Sequence, residues 1–209
     1  MALSFLLGSS PFHQPVGSAG RIRRLERHEV TMSRVSAVER GHGSLEQDAA
    51  YDDEVARVGQ VTNMKKAILH SLPAYRTYKG FYELQKAAKE LVGVRAFNVF
   101  AYAISTGSDC VLCATFFRRL LKEAGIEPRD FTPSEIEAVL LKVGQAIGEQ
   151  RGKLSDDIWQ ELRQHFDEAG VVTLIGFAGT MVATNIFNSV LEVDLDAYLE
   201  PFVVELEPA

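Results

Sequence analysis

Apolar residues recur at helical spacing over most of the chain from Val61 onward, and the joints between the periodic stretches are short and carry Pro, Gly, Ser or Thr. After Pro73, the residues Tyr75, Tyr78, Phe81, Tyr82, Leu84, Leu91 and Val92 fall mostly three and four apart, which gives one broad apolar face suited to core packing. Residues 94–105 continue the pattern with Phe97, Phe100, Ala101 and Ile104. Thr106-Gly107-Ser108-Asp109 then supplies a glycine for a break and two candidate N-caps, so that a new helix is predicted to start at Cys110 and to run to Ala124-Gly125. Thr132-Pro133-Ser134-Glu135 reads as a capping box with Pro at the first helical position, opening a helix over residues 136–150. Ser155-Asp156-Asp157 caps a further helix with Trp159, Leu162 and Phe166 on its buried stripe, and a short tail helix is expected over residues 194–202. No period-two alternation is long enough to force a sheet, so the class is all-α.

Residues 171–191 contain no charged side chain and are long enough to cross a bilayer. Thr173, Thr180, Thr184, Asn185, Asn188, Gly176 and Gly179 make the stretch less apolar than an isolated span, and no second span is at hand to bury those polar groups. A central core helix is the better reading. Its small residues suit close contacts, and Asn185 with Asn188 suits a buried hydrogen-bonded network, within the chain or between subunits.

Residues 8–51 show no such period and are rich in Gly, Ser, Arg and Glu. Residues 1–51 are therefore expected to be a poorly ordered arm ahead of one helical domain over residues 52–209, and Met32 offers an alternative start. The apolar run Leu3–Leu7 has no basic residue ahead of it and is short for a signal peptide. A net charge of -6 gives no basic footprint for nucleic acid or for an anionic membrane surface. The two cysteines are too few and too close for the framework of a secreted mini-protein, which places the chain in a reducing cytoplasm.

Those two cysteines carry the chemistry. On a helix, Cys110-Val111-Leu112-Cys113 sets both sulfurs on one face, near enough to close a disulfide. Unpaired amides of the first turn favour a thiolate at Cys110, whereas Asp109 next door and the apolar neighbours oppose it. The pair also has a purely structural reading, as two small buried side chains. No second Cys pair and no nearby His completes a zinc site, so neither metal nor cofactor is expected. His13, His28, His42, His70 and His165 are scattered, and none is a clear catalytic base. A thioredoxin-like reading lacks its strand-turn-helix scaffold.

The stretch Ala101-Tyr102-Ala103-Ile104-Ser105-Thr106-Gly107-Ser108-Asp109-Cys110-Val111-Leu112-Cys113 resembles the helix, break and Cys-x-x-Cys helix of the carboxymuconolactone decarboxylase/alkylhydroperoxidase D-like (AhpD-like) superfamily. Gln60–Met64, Leu69–Ser71, Ala74-Tyr75, the Trp159 helix and the Asn185–Asn188 helix are similar in order, so the resemblance covers residues 58–202. It implies an AhpD-like helical bundle, a homo-oligomer (trimer or hexamer), and catalytic Cys110 and Cys113 that reduce a peroxide or exchange electrons with a protein thiol or disulfide. The family motif places a Glu twelve residues before the first Cys and a His four after the second, as a proton relay. Here those positions hold Asn98 and Phe117, which cannot transfer a proton at neutral pH. Asn98, Phe117, Asp109 and Tyr102 are the auxiliary candidates. Two other functions stay open: a non-enzymatic oligomerisation or redox-sensing module, and a decarboxylase-like small-molecule enzyme with Tyr102, Arg118 and Arg119 as polar candidates.

Overall fold

The computed structural model describes residues 33–128, 130–150 and 153–204, and among these the chain is helical with no strand. Its elements are α1 (Leu45–Val58), α2 (Asn63–Ile68), α3 (Leu72–Gly107), α4 (Val111–Glu123), α5 (Glu135–Gln150), α6 (Asp156–His165), α7 (Glu168–Val190) and a 3-10 helix over Ala197–Phe202. The hub is α3, which packs against α5, α7 and α4. On its second half Phe97, Phe100, Ala101 and Ile104 recur at i, i+3, i+4 and i+7 and are fully buried. They meet Leu140 and Val143 of α5 and Leu174, Phe177 and Ala178 of α7 in one apolar core. A second core joins Val38, Ile68, Leu69, Tyr75 and Val193.

Gly93 divides α3 into two segments, where the apolar pattern had read as continuing: its φ of 81° lies in the region only glycine enters without strain. Further on, Gly107 and Gly148 let α3 and α5 touch backbone to backbone. A Cβ built at Gly148 would stand 2.6 Å from the Ile104 carbonyl oxygen, and one at Gly107 would stand 2.8 Å from that of Gln145. This crossing fixes the end of α3 from which the cysteines are launched.

Three sequence expectations are revised. The arm boundary at residue 51 runs through the middle of α1, and the residues from 33 onward are bound to the domain. Val38 is buried, the Arg34 and Val38 amides donate to the carbonyls of Leu191 and Lys66, and Gln47 Nε2 donates to the Leu69 carbonyl. A few anchors of this kind leave no long apolar period to read. Residues 1–32 lie outside the described residues. The cap of α5 is Ser134, not Thr132: the Glu137 amide donates to the Ser134 hydroxyl and the Ser134 amide donates to the Glu137 carboxylate, so Pro133 precedes the cap. Arg95 on α3 pairs with that same carboxylate. The tail over Ala197–Phe202 is 3-10 rather than α-helical and contains Pro201, which has no N–H to donate. It is held by Arg118, whose guanidinium donates to the Val203 carbonyl at 2.6 Å.

Helix α7 is long and apolar enough to cross a membrane. Its Leu174, Phe177, Ala178, Met181, Asn185 and Asn188 are buried against the rest of the chain, as the core-helix reading expects.

Candidate functional site

The cysteine turn is built by the end of α3. The Asp109 amide donates to the Thr106 carbonyl and the Cys110 amide to that of Ser105, the two crossed bonds of a Schellman ending. The left-handed residue this ending needs is Asp109, with φ 53°, and Asp is among the few residues that adopt it at modest cost. Gly107 was expected to make the break but is spent on the contact with α5. Cys110 is thus at once the last residue of this ending and the N-cap of α4, the position for which Ser108 or Asp109 was expected.

That placement sets the electrostatics. No hydroxyl or carboxylate caps α4, which leaves its first-turn amides to the Cys110 position. The Cys110 thiol is lowered from an ordinary value of 9.0 to about 7, chiefly by the hydrogen bond that Cys113 donates to it; burial opposes this, and the Cys113 and Leu112 amides and the Ser189 hydroxyl assist. Cys113 is pushed the other way, because its proton is held by the Cys110 sulfur and burial disfavours its charge. The pair therefore shares one proton near neutral pH, with the thiolate on Cys110. Both residues are free thiols and buried, at 1% and 5% exposure.

From α7, Asn188 Nδ2 donates to Cys113 Sγ at 3.2 Å. Asn185 lies one turn away on α7 and donates at 3.5 Å to the Ile104 carbonyl, so the two asparagines tie α7 to different partners. The Oδ1 atoms of Asn98, Asn185 and Asn188 are buried without a hydrogen bond.

A cavity of about 410 Å³ opens beside Cys113, walled by Tyr78, Phe81, Tyr82, Phe116, Phe117 and Phe177 among others. Cys113, and not Cys110, lines it. A smaller hollow of about 120 Å³ lies between Ser108, Asn185 and Ser189, on the Cys110 side of α7.

The auxiliary candidates separate. Phe117, at the family's His position, is 5% exposed, lies edge-on to Phe116 and Phe97 and forms part of the cavity wall. Asn98, at the family's Glu position, is buried on α3 and does not line the cavity. Asp109 is exposed, and it is not among the groups that shift the Cys110 thiol. Tyr102 is half-buried between the main core and the Val99–Leu121 cluster, away from the cavity wall. Arg118 ties down the tail, whereas Arg119 lines the cavity, stacked on Phe116 and Tyr198. Among the described residues no group of His, Cys, Asp and Glu is placed to hold a metal.

Sequence reasoning missed Asn188 as a partner of Cys113, Ser189 as a partner of Cys110, and the cavity residues Glu54 and Lys65. The charge-free stretch flagged Asn188 as buried, but which atom it meets is set by the packing of α7 on α4.

No protein-family model matches the sequence, and no curated protein matches it. Solved structures do. The chain is similar to a cysteine variant of the debrominase Bmp8 in complex with 2,3,4-tribromopyrrole, with TM-score 0.66 at 12% identity over 82% of this chain and 97% of that one. It is also similar to an alkylhydroperoxidase AhpD core, a peroxidase-related protein from Ralstonia eutropha JMP134, with TM-score 0.64 at 13% identity over 80% and 94% of the two chains. A peroxidase-related protein from Silicibacter sp. TM1040 gives TM-score 0.63 at 14% identity over 81% and 92%. Near-complete coverage at such low identity is a statement about architecture, and on it the chain has the AhpD-like helical fold that its cysteine motif resembles.

Proposed function

We propose that the chain is a thiol oxidoreductase that reduces an organic hydroperoxide, or a disulfide, through Cys110 and Cys113. The observation that carries this reading is the placement of the pair: two free cysteines at the start of α4, of which Cys113 lines the cavity and accepts a hydrogen bond from Asn188. The Cys113 proton passes to Cys110, and the Cys113 thiolate, supported by Asn188, attacks the distal peroxide oxygen. The O–O bond breaks, Cys113 becomes a sulfenic acid, and the leaving alkoxide takes the proton back from Cys110 to depart as the alcohol. The Cys110 thiolate then attacks the Cys113 sulfur, forming the disulfide and releasing hydroxide. The cysteines lose two electrons, the peroxide gains them, and an external thiol resets the pair. In this scheme Cys110 serves as the acid that Asn98 and Phe117 cannot be.

The likeness to a debrominase supports a second electrophile for the same two electrons, a halogenated ring, and the aromatic wall of the cavity favours it. In both cases the chain works in a reducing compartment, the cytoplasm. It does so as a homo-oligomer, trimer or hexamer. Support for assembly comes from α7, where Val172, Gly179 and Ile186 recur seven residues apart, with Val190 one turn further on, and are exposed on one face. Light scattering showing only monomer at micromolar concentration would remove that part.

The test is to treat the reduced protein with one equivalent of cumene hydroperoxide and map the cysteines by differential alkylation and mass spectrometry. The reading expects an intramolecular Cys110–Cys113 disulfide. Two thiols that remain free after the hydroperoxide has been left to react would overturn it.

A further inference from the structure

The cavity beside Cys113 holds a positive charge with no counter-ion among the described residues. Five ionisable side chains other than cysteine and tyrosine line it: Glu54, Arg57, Lys65, Arg119 and Asp196. The Arg57 guanidinium is committed to Glu54 and to the Tyr82 hydroxyl, lying 3.8 Å from the centroid of the Tyr82 ring. Arg119 pairs with Glu123 at 3.2 Å. Asp196 accepts the Asn63 amide at 2.9 Å. Lys65 is different. It is only 9% exposed, its ammonium has no ion pair or hydrogen bond among the described residues, and that ammonium lies 4.9 Å from the centroid of the Tyr82 ring. A lysine is rarely buried to that degree without a counter-charge, because a ring face replaces only part of the lost hydration.

The rest of the wall is mostly aromatic and aliphatic, and the volume of about 410 Å³ falls in the range of small-molecule sites. With Glu54 offsetting Arg57, Glu123 offsetting Arg119 and Lys66 as the cation beside Asp196, the ammonium at Tyr82 is the cavity charge left without a counter-ion among the described residues. One uncommitted charge in an apolar cavity suits a monoanion better than a doubly charged phosphate, whose second charge would be desolvated without compensation. We infer that the cavity takes an organic monocarboxylate, with its aromatic or alkyl body against the aromatic wall and its carboxylate on Lys65. This deepens the oxidoreductase reading and rests on it for the claim that the ligand is a substrate. The binding claim stands on the cavity and Lys65 alone.

The probes are 4-phenylbutyrate and its neutral counterpart 4-phenyl-1-butanol, titrated by calorimetry into the full reduced chain. The acid should bind at least about tenfold tighter than the alcohol, as a charge-assisted hydrogen bond in a desolvated site would give. Lys65→Met, which keeps the buried stem, should erase the preference, and Lys65→Arg should restore part of it, with unchanged helical content and melting in each. Equal affinities for acid and alcohol, no measurable binding of the acid up to millimolar concentration, or a preference that survives in a folded Lys65→Met chain would overturn the inference. Disulfide formation with cumene hydroperoxide but no acid preference sinks the ligand class alone. An acid preference without any disulfide sinks the oxidoreductase reading alone.

Discussion

Asn188 and Cys113, 75 residues apart, meet across the α4–α7 contact, where the Asn188 amide donates to the Cys113 sulfur at 3.2 Å. This is a side-chain donor to the cavity-facing sulfur from another helix, and it works against the burial that keeps the Cys113 proton on. Asn188→Leu should therefore raise the Cys113 thiol further and slow oxidation by hydroperoxide about tenfold or more, since a hydrogen bond to a charged group contributes roughly 1.5–3 kcal/mol. Stopped-flow peroxide consumption would check it, with the alkylation profile of Cys113 against pH as a readout that packing loss alone would not shift. An unchanged profile would make Asn188 structural.

The pH behaviour follows from the split pair. Cys110 is lowered to about 7 in the folded chain from an ordinary 9.0, so between those values the unfolded chain binds more protons than the folded one. Stability from this group is present above the ordinary value and is lost as pH falls through about 7. Cys113 has the opposite shift, so its contribution is lost as pH rises past the ordinary thiol range. The melting temperature of the reduced protein should rise from pH 6 to pH 8.5 relative to Cys110→Ser, and the ultraviolet thiolate absorbance should appear with a midpoint of about 7. A thiolate midpoint near 9 would show that Cys110 is an ordinary thiol.

Much of this was legible in the chain. The i, i+3, i+4, i+7 recurrence at Phe97, Phe100, Ala101 and Ile104 is a local pattern, and it gave both the helix and its buried face. The Cys-x-x-Cys spacing gave the pair for the same reason. Three things were not local. Gly107 looks like a helix breaker until Gly148 is known to press against α3, after which the left-handed position moves to Asp109 and the cap to Cys110. Lys65 carries no signal in the sequence and becomes a buried cavity ammonium without a counter-ion only because it folds over the Tyr82 ring. Val38 carries a tertiary contact without any periodic neighbours to announce it.

The Val38 contact also decides how the chain tolerates truncation. A chain beginning at Asp52 loses half of α1, the Val38 contact and the backbone bonds from Arg34 and Val38. It should melt well below a chain beginning at Ser33, by several kcal/mol of stability, because burying one large aliphatic side chain alone contributes roughly 1.5–3 kcal/mol. Thermal denaturation followed by circular dichroism decides this, and equal melting temperatures would show the segment to be dispensable.

The family's relay positions can be refilled. Phe117 faces the cavity together with Cys113, so Phe117→His brings an imidazole to the reacting sulfur, while Asn98→Glu adds a buried carboxylate behind it. If Cys110 is the acid of the present mechanism, the double variant should raise the second-order rate of hydroperoxide consumption, up to the roughly 10²–10⁴-fold that general acid–base help provides. It should also make the rate less sensitive to Cys110→Ser. A folded double variant with an unchanged rate would mean that proton transfer does not limit the reaction.

Turnover tests the central claim most directly. Consumption of cumene hydroperoxide is followed with excess dithiothreitol as reductant, for the unmodified chain, Cys110→Ser and Cys113→Ser. The paired-thiol mechanism predicts many turnovers by the unmodified chain, loss of activity in Cys113→Ser, and a slow reaction in Cys110→Ser that leaves Cys113 as a sulfenic acid or a mixed disulfide. Equal rates in all three chains, or no consumption by the unmodified chain above the reductant alone, would contradict it.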